Sequence, residues 1–337
     1  MPLINQSSYT SRPWLHFSPY LETLIPYFNM SYDKPQVESE KLELSDGDFL
    51  ELEWIRGHSS HLLVFTHGFE GNTQDAFMVK SAKYFSMHGF DVLLWNLRSC
   101  GKALNRNLEL YHYGSIQDLH AVVSHGIGSG GYDQVSLIGF SLGGGITINY
   151  LGSGLVPEEV KSSVCISTPL SIYNAAAEMG SGWNRYIIEK KFLAKIKRKL
   201  IKKAGQFPAH LKVEEVLKAN SLRALFEDIL LPLYGYESVG DYRQKWDCRH
   251  FLPKISCPFL LINALNDPLL SSVDFPTKVF TQHNNLFLEM PALGGHVGFS
   301  GGVGKTPWYI QRVQEFINEW KEVGEGSDLT TSSCISC

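Results

Sequence analysis

The chain has 337 residues, 44% of them hydrophobic and 19% charged, with a formal net charge of −4. That composition excludes a disordered chain, and a chain of this length buries a sizeable core without disulfides or a structural metal. The balance of 30 Lys and Arg against 34 Asp and Glu excludes a general nucleic-acid binder.

The first residues, Met1 to Gln6, carry neither the basic nor the apolar region of a secretory signal. No stretch approaches the ~18 apolar residues of a membrane span. A soluble, cytoplasmic protein is expected. Residues 1–40, rich in Pro and aromatics, read as an arm rather than a domain. Alternating residues on both sides of Asp46-Gly47-Asp48 predict a β-hairpin of Lys41–Ser45 and Phe49–Trp54. Buried-strand runs and helical spacing then alternate. Strands are expected at His61–Thr66, Asp91–Leu97, Gln134–Phe140 and Val160–Ser167, with helices at Ala76–His88, Ser115–His125 and Gly144–Leu151. This rhythm implies an α/β fold with a mostly parallel central sheet and helices on both faces.

The rhythm breaks at Thr168-Pro169, and residues 170–250 show only helical spacing. Strands resume at Pro258–Leu265 and Asn285–Met290, and a last helix is expected at Tyr309–Val323. The expected organisation is an arm (1–40), an α/β core (41–168 and 251–324), a helical lid (169–250) and a flexible tail (325–337). Six cysteines, at 100, 165, 248, 257, 334 and 337, form no paired zinc framework and read as reduced thiols. The final Cys334-Ile335-Ser336-Cys337 only distantly resembles a prenylation box, because Ser336 occupies an aliphatic slot.

Gly139-Phe140-Ser141-Leu142-Gly143 is G-x-S-x-G, set between a strand-like run and a helix-like run. In that setting the pattern is a nucleophile elbow, with the serine hydroxyl raised over the sheet at the positive end of a helix. A serine hydroxyl needs a base, and the base needs an orienting carboxylate. Two downstream loops offer them in the order this fold uses. Asp267, in Asn266-Asp267-Pro268, follows one buried run, and His296, in Leu293-Gly294-Gly295-His296, follows the last. Asp274, placed on the next helix, and Glu289, inside a strand, are the rival carboxylates. The oxyanion donors are expected at the N–H groups of Phe69 and Leu142. His67 is expected to brace its turn by pairing with a chain carbonyl.

With these motifs in place, the chain resembles the α/β-hydrolase superfamily, and within it the YheT-like hydrolase branch, which is related to membrane-anchored lipid hydrolases of animals. The likeness starts at Phe17-Ser18-Pro19-Tyr20-Leu21-Glu22-Thr23, where that family has Pro-x-Leu-Gln-Thr. It continues through His67-Gly68-Phe69-Glu70-Gly71, Asn96-Leu97-Arg98, Tyr111-His112, the elbow, Asn266-Asp267-Pro268 and Gly294–Phe299. The resemblance implies a serine hydrolase of carboxylic esters with Ser141, Asp267 and His296 as its triad. Where the family reads Arg-Gly-x-Ser-Gly, this chain has Arg98-Ser99-Cys100-Gly101, a loop expected to border the site.

Ester hydrolysis, on small-molecule or lipid-like esters and with no metal or organic cofactor, is the leading expectation. Acyl transfer on the same triad and a non-catalytic ligand-binding protein are the alternatives. Gly126–Gly131 matches G-x-G-x-x-G but follows a helix, and reads as a helix stop and loop. Gly301–Thr306 resembles a phosphate loop, but Phe299 stands where its first glycine belongs. Arg185–Lys203 carries nine Lys and Arg against Glu189 alone, with apolar residues at helical spacing. It reads as a basic amphipathic helix: first an ordinary lid helix whose apolar side covers the core, and alternatively one whose basic stripe, with Lys195, Lys199 and Lys202, makes weak peripheral contact with an anionic membrane. Oligomeric state is left open.

Overall fold

The computed structural model describes residues 3–4, 6–9, 18–28, 34–271, 274–301 and 305–323. The tail with Cys334 and Cys337, and Gly302 to Gly304, lie outside the described residues. Nine strands are present among the described residues: β1 (Leu3–Ile4), β2 (Glu38–Glu43), β3 (Phe49–Ile55), β4 (His61–Thr66), β5 (Asp91–Asn96), β6 (Gln134–Phe140), β7 (Val160–Ile166), β8 (Phe259–Ile262) and β9 (Leu286–Glu289). They form one sheet in the order β1-β9-β8-β7-β6-β4-β5-β3-β2. Among the described strands only β3 runs against the rest, antiparallel to both β2 and β5.

Every residue of β4 and β5 is buried. The reason is two-sided cover: Leu62 and Val64 enter one apolar core while Leu63 and Phe65 enter the other. Alternate side chains of a strand point to opposite faces, so a strand between two helix layers must be apolar throughout. The helix Ile116–Gly130 lies on the first face, and Ala76–Met87 with Trp308–Val323 on the second.

Two readings of the sequence shift here. The G-x-G-x-x-G segment is not a loop, because Gly126, Gly128 and Gly130 all belong to the helix, which stops only at Gly131. Gly126 lets that helix press onto the sheet, since a Cβ there would stand 2.9 Å from Leu62 Cδ2. The first hairpin also begins earlier, at Glu38, inside the segment read as an arm. Between β7 and β8 the chain is helical, as expected. It runs through Ile172–Met179, a π-helical turn at Arg185–Glu189 leading into Lys190–Gln206, then Val213–Lys218, a broken helix from Leu222 to Leu233, and Val239–Trp246. Among the described residues no helix is long and apolar enough to cross a membrane.

Candidate active site

Strands β4, β6, β8 and β9 are parallel, so their C-terminal ends share one edge of the sheet. Phe69, Ser141, Asp267 and His296 each lie in the segment leaving one of those ends. Ser141 sits between β6 and the helix Leu142–Leu151 with φ 52° and ψ −122°. Positive φ in a residue with a side chain stores on the order of 1–3 kcal/mol of strain, which the surroundings must hold. The flanking glycines allow the turn. A Cβ on Gly139 would lie 2.5 Å from Gly144 Cα, and one on Gly143 would lie 2.3 Å from the His67 carbonyl oxygen.

The three residues predicted from loop order meet in one hydrogen-bonded chain. His296 Nδ1 stands 2.8 Å from Asp267 Oδ2, and His296 Nε2 stands 3.0 Å from Ser141 Oγ. The carboxylate can only accept, so Nδ1 carries the proton and Nε2 is left to accept from the serine hydroxyl. Asp267 is buried, and its other oxygen accepts the Leu269 N–H at 2.8 Å. The rivals are engaged elsewhere. Asp274 precedes the helix Thr277–Gln282 rather than lying on it, and accepts from Asn174. Glu289 pairs with Arg312 and Ser7.

The loop after β4 packs beside the elbow. Neither the Phe69 nor the Leu142 N–H has a hydrogen-bond partner among the described residues, as expected for the first residue of a helix in the case of Leu142. His67 is fully buried, and its Nδ1 donates to the Gly68 carbonyl at 2.8 Å while Nε2 accepts the Leu97 N–H at 3.1 Å. Burial lowers its pKa to about 3, so the ring is a neutral brace.

Residues to which the sequence reading gave no role at the site hold this loop and the histidine loop. Glu70 has φ 54° and a buried side chain. Its carboxylate accepts from Tyr111 Oη at 2.7 Å and from Lys199 Nζ at 2.8 Å, and its N–H donates back to Tyr111 Oη at 2.9 Å. Its carbonyl accepts from Lys195. On the other side, the helix Pro19–Phe28 presents Thr23, which accepts the His296 N–H, and the buried Glu22, which accepts from Asn266 Nδ2 and the Gly294 N–H. The sequence signal for both was the matched Pro-x-Leu-x-Thr segment, whose role only the three-dimensional contacts reveal.

Those contacts correct the reading of the basic helix. Lys199 and Lys203 recur at helical spacing but face inward, while Lys195 stays exposed with its Nζ held on the Glu70 carbonyl. Lys199 reaches Glu70 and, at 3.1 Å, Cys100 Sγ, while Lys203 is fully buried on the Asn105 and Asn107 carbonyls. Carbonyl groups left over at the core loops give an ammonium enough partners to be buried, a property no helical-wheel argument contains. Burial pushes the Cys100 thiol up to about 11, so it stays a thiol. The Arg98–Gly101 loop does not line the cavity. Arg98 instead binds Asp118 through two bonds, at 2.7 and 2.8 Å, and Asp46 at 2.7 Å.

Above Ser141 and His296 lies a cavity of about 400 Å³, walled mostly by apolar side chains. The helical segment between β7 and β8 supplies much of the wall, including Ala176, Met179, Ile188, Phe192 and Leu230. The Phe69 ring packs between Tyr111 and Phe192, with centroids 6.2 and 5.5 Å away.

A family profile for the alpha/beta hydrolase fold matches residues 61–302. The chain is 25% identical to YheT of Escherichia coli (strain K12) over 313 residues, covering 90% of this chain and 91% of that protein. It is 24% identical to Phospholipase ABHD3 of Mus musculus, over 90% of this chain and 76% of the relative. It is also 23% identical to the Monoacylglycerol lipase of Saccharomyces cerevisiae, over 76% of this chain and 58% of the relative. Among solved structures, the Pyrococcus furiosus esterase Pf2001 superposes with a TM-score of 0.58 at 17% identity, covering 85% of this chain and 91% of the other. The elbow, the parallel sheet and the profile match agree: this chain belongs to the α/β-hydrolase fold family.

Proposed function

We propose that the protein is a serine hydrolase that cleaves carboxylic esters of lipid-like acids through an acyl-enzyme. The observation that carries this reading is the unbroken chain Asp267–His296–Ser141 at the floor of an apolar cavity. Ser141 Oγ attacks the acyl carbonyl carbon as its proton passes to His296 Nε2. Asp267 keeps the imidazole in the required tautomer and stabilises the imidazolium. The Phe69 and Leu142 N–H groups receive the oxyanion, each worth on the order of 3 kcal/mol in the transition state. The imidazolium protonates the leaving alcohol. Water, deprotonated by the same nitrogen, then releases the acid and restores Ser141.

In this reading residues 169–250 act as a lid over the core formed by 41–168 and 251–324, and the cavity wall holds the acyl chain. The likeness to a phospholipase and a monoacylglycerol lipase supports an ester of a long-chain acid as substrate class. The test is turnover of soluble p-nitrophenyl esters. Wild type hydrolyses them, and Ser141→Ala and His296→Ala lose several orders of magnitude with unchanged circular dichroism. Retention of more than about a tenth of the rate by either variant would contradict the assignment.

A further inference from the structure

The turn that opens the long basic helix leaves large apolar side chains in water. Trp183 is 72% exposed, Tyr186 62% and Ile187 40%. Clustered exposure of this kind marks a contact surface, because uncovered apolar area costs about 25 cal/mol per Å². Cations continue the patch. Arg185, Lys190, Lys191, Arg198 and Lys202 are exposed, and Lys190 Nζ stands 4.9 Å from the Tyr186 ring centroid. Lys199 and Lys203 turn inward, and the Nζ groups of Lys195 and Lys197 are held on the Glu70 and Leu217 carbonyls, which leaves these five of the nine. The acid of this segment, Glu189, is buried and accepts the Leu222 N–H at 2.8 Å, so it neutralises none of them at the surface.

Spacing of three to four residues places Lys190, Lys191, Ala194, Arg198 and Lys202 along one side of the helix Lys190–Gln206, and the turn and π-helical segment before it carry the exposed Trp183, Tyr186 and Ile187. Ile187 and Lys191 are both exposed and both line the cavity over Ser141, so they stand at its rim. An aromatic and aliphatic tip that runs into a cationic stripe is the composition that enters a headgroup layer.

We infer that this face docks on an anionic lipid surface. Trp183 and Tyr186 enter the headgroup region, the five exposed cations meet lipid phosphates and carboxylates, and the mouth of the cavity is pressed to the lipid. Delivery of an ester from that surface to Ser141 rests on the proposed hydrolysis, whereas docking itself does not.

The experiment is sedimentation of the full chain with phosphatidylcholine vesicles made with and without phosphatidylserine, at low and high salt. Binding that requires phosphatidylserine and weakens at least about tenfold at high salt is expected. Arg185→Gln/Lys190→Gln/Arg198→Gln, and separately Trp183→Ser/Tyr186→Ser, should each weaken it at least about tenfold. Both variants should hydrolyse a small soluble ester at the wild-type rate. Ser141→Ala should bind vesicles as wild type does, so a failed hydrolysis reading and a failed docking inference give different results. Absence of binding, equal binding to neutral vesicles, or binding unchanged in both surface variants would overturn the inference. So would self-association that needs Trp183 without vesicle binding, which would make a second copy the occupant.

Discussion

Thr23 Oγ1 accepts the backbone N–H of His296 at 2.9 Å, a contact between residues 273 apart in sequence. One helical turn of the N-terminal segment thereby fixes where the imidazole stands. Glu22 beside it holds Asn266, and Asn266 Oδ1 in turn accepts the Gly295 N–H at 3.0 Å. The same turn thus braces the loop of Asp267 and the loop of His296.

Thr23→Val keeps the shape and removes the acceptor. A misplacement of about 1 Å at a reacting group can cost ~10²-fold, so turnover of a soluble ester should fall at least about tenfold with little change in KM. Thr23→Ser should restore most of it. A Thr23→Val enzyme with the wild-type kcat would show that the bond is incidental.

The Lys199–Glu70 pair links the helix Lys190–Gln206 to the loop that carries the Phe69 N–H. Breaking a buried pair from one side costs about 3–5 kcal/mol. Lys199→Met should lower stability on that scale in urea unfolding and also lower kcat. The double variant Glu70→Gln/Lys199→Met should be less destabilised than the sum of the single changes. Additive losses in a double-mutant cycle would mean that the two side chains are not coupled.

His67 gives the protein an acid limit. Its folded-state pKa is lowered to about 3 by burial, while in the unfolded chain a histidine titrates near ~6.5. Between those values only the unfolded chain takes up the proton. Stability from this group is therefore complete above the unfolded value and falls as the pH drops, by up to roughly 1.4 kcal/mol per unit. His67→Gln should be less stable than wild type at neutral pH, and urea unfolding should show that gap narrowing as the pH approaches 4. A gap independent of pH would show that His67 does not titrate on unfolding.

How much of this was legible beforehand depended on whether the information was local. The boundaries of β4 and β6 follow directly from short apolar runs, and Ser141, Asp267 and His296 follow from motif context and loop order. Glu70, Tyr111 and Lys199 were hidden because their roles exist only when distant segments pack. The inward turn of Lys199 and Lys203 was hidden for a related reason. Spacing assigns a charged side chain to a face, but only the carbonyls and carboxylate waiting across the interface decide whether that face is buried. Gly126 misled for the opposite reason, since a glycine that permits close helix–sheet packing carries the same letter as one that stops a helix.

The cavity predicts a dependence on acyl length. Each methylene that enters an apolar wall contributes up to ~0.8 kcal/mol, so kcat/KM should climb by up to about fourfold per methylene until the space is full. Ala176 lines that space and is buried. Ala176→Phe should cut kcat/KM for long-chain esters and spare acetate. A flat chain-length profile in wild type would remove the cavity from substrate recognition.

In the proposed mechanism, His296 and Asp267 make Ser141 a nucleophile. Treatment with a fluorophosphonate followed by mass spectrometry of the intact and digested protein tests it most directly, because only an activated serine displaces the fluoride. One phosphonyl group is expected on Ser141, none on Ser141→Ala, and markedly slower labelling of His296→Ala. An unlabelled wild-type protein, or an adduct on any other residue, would contradict that mechanism.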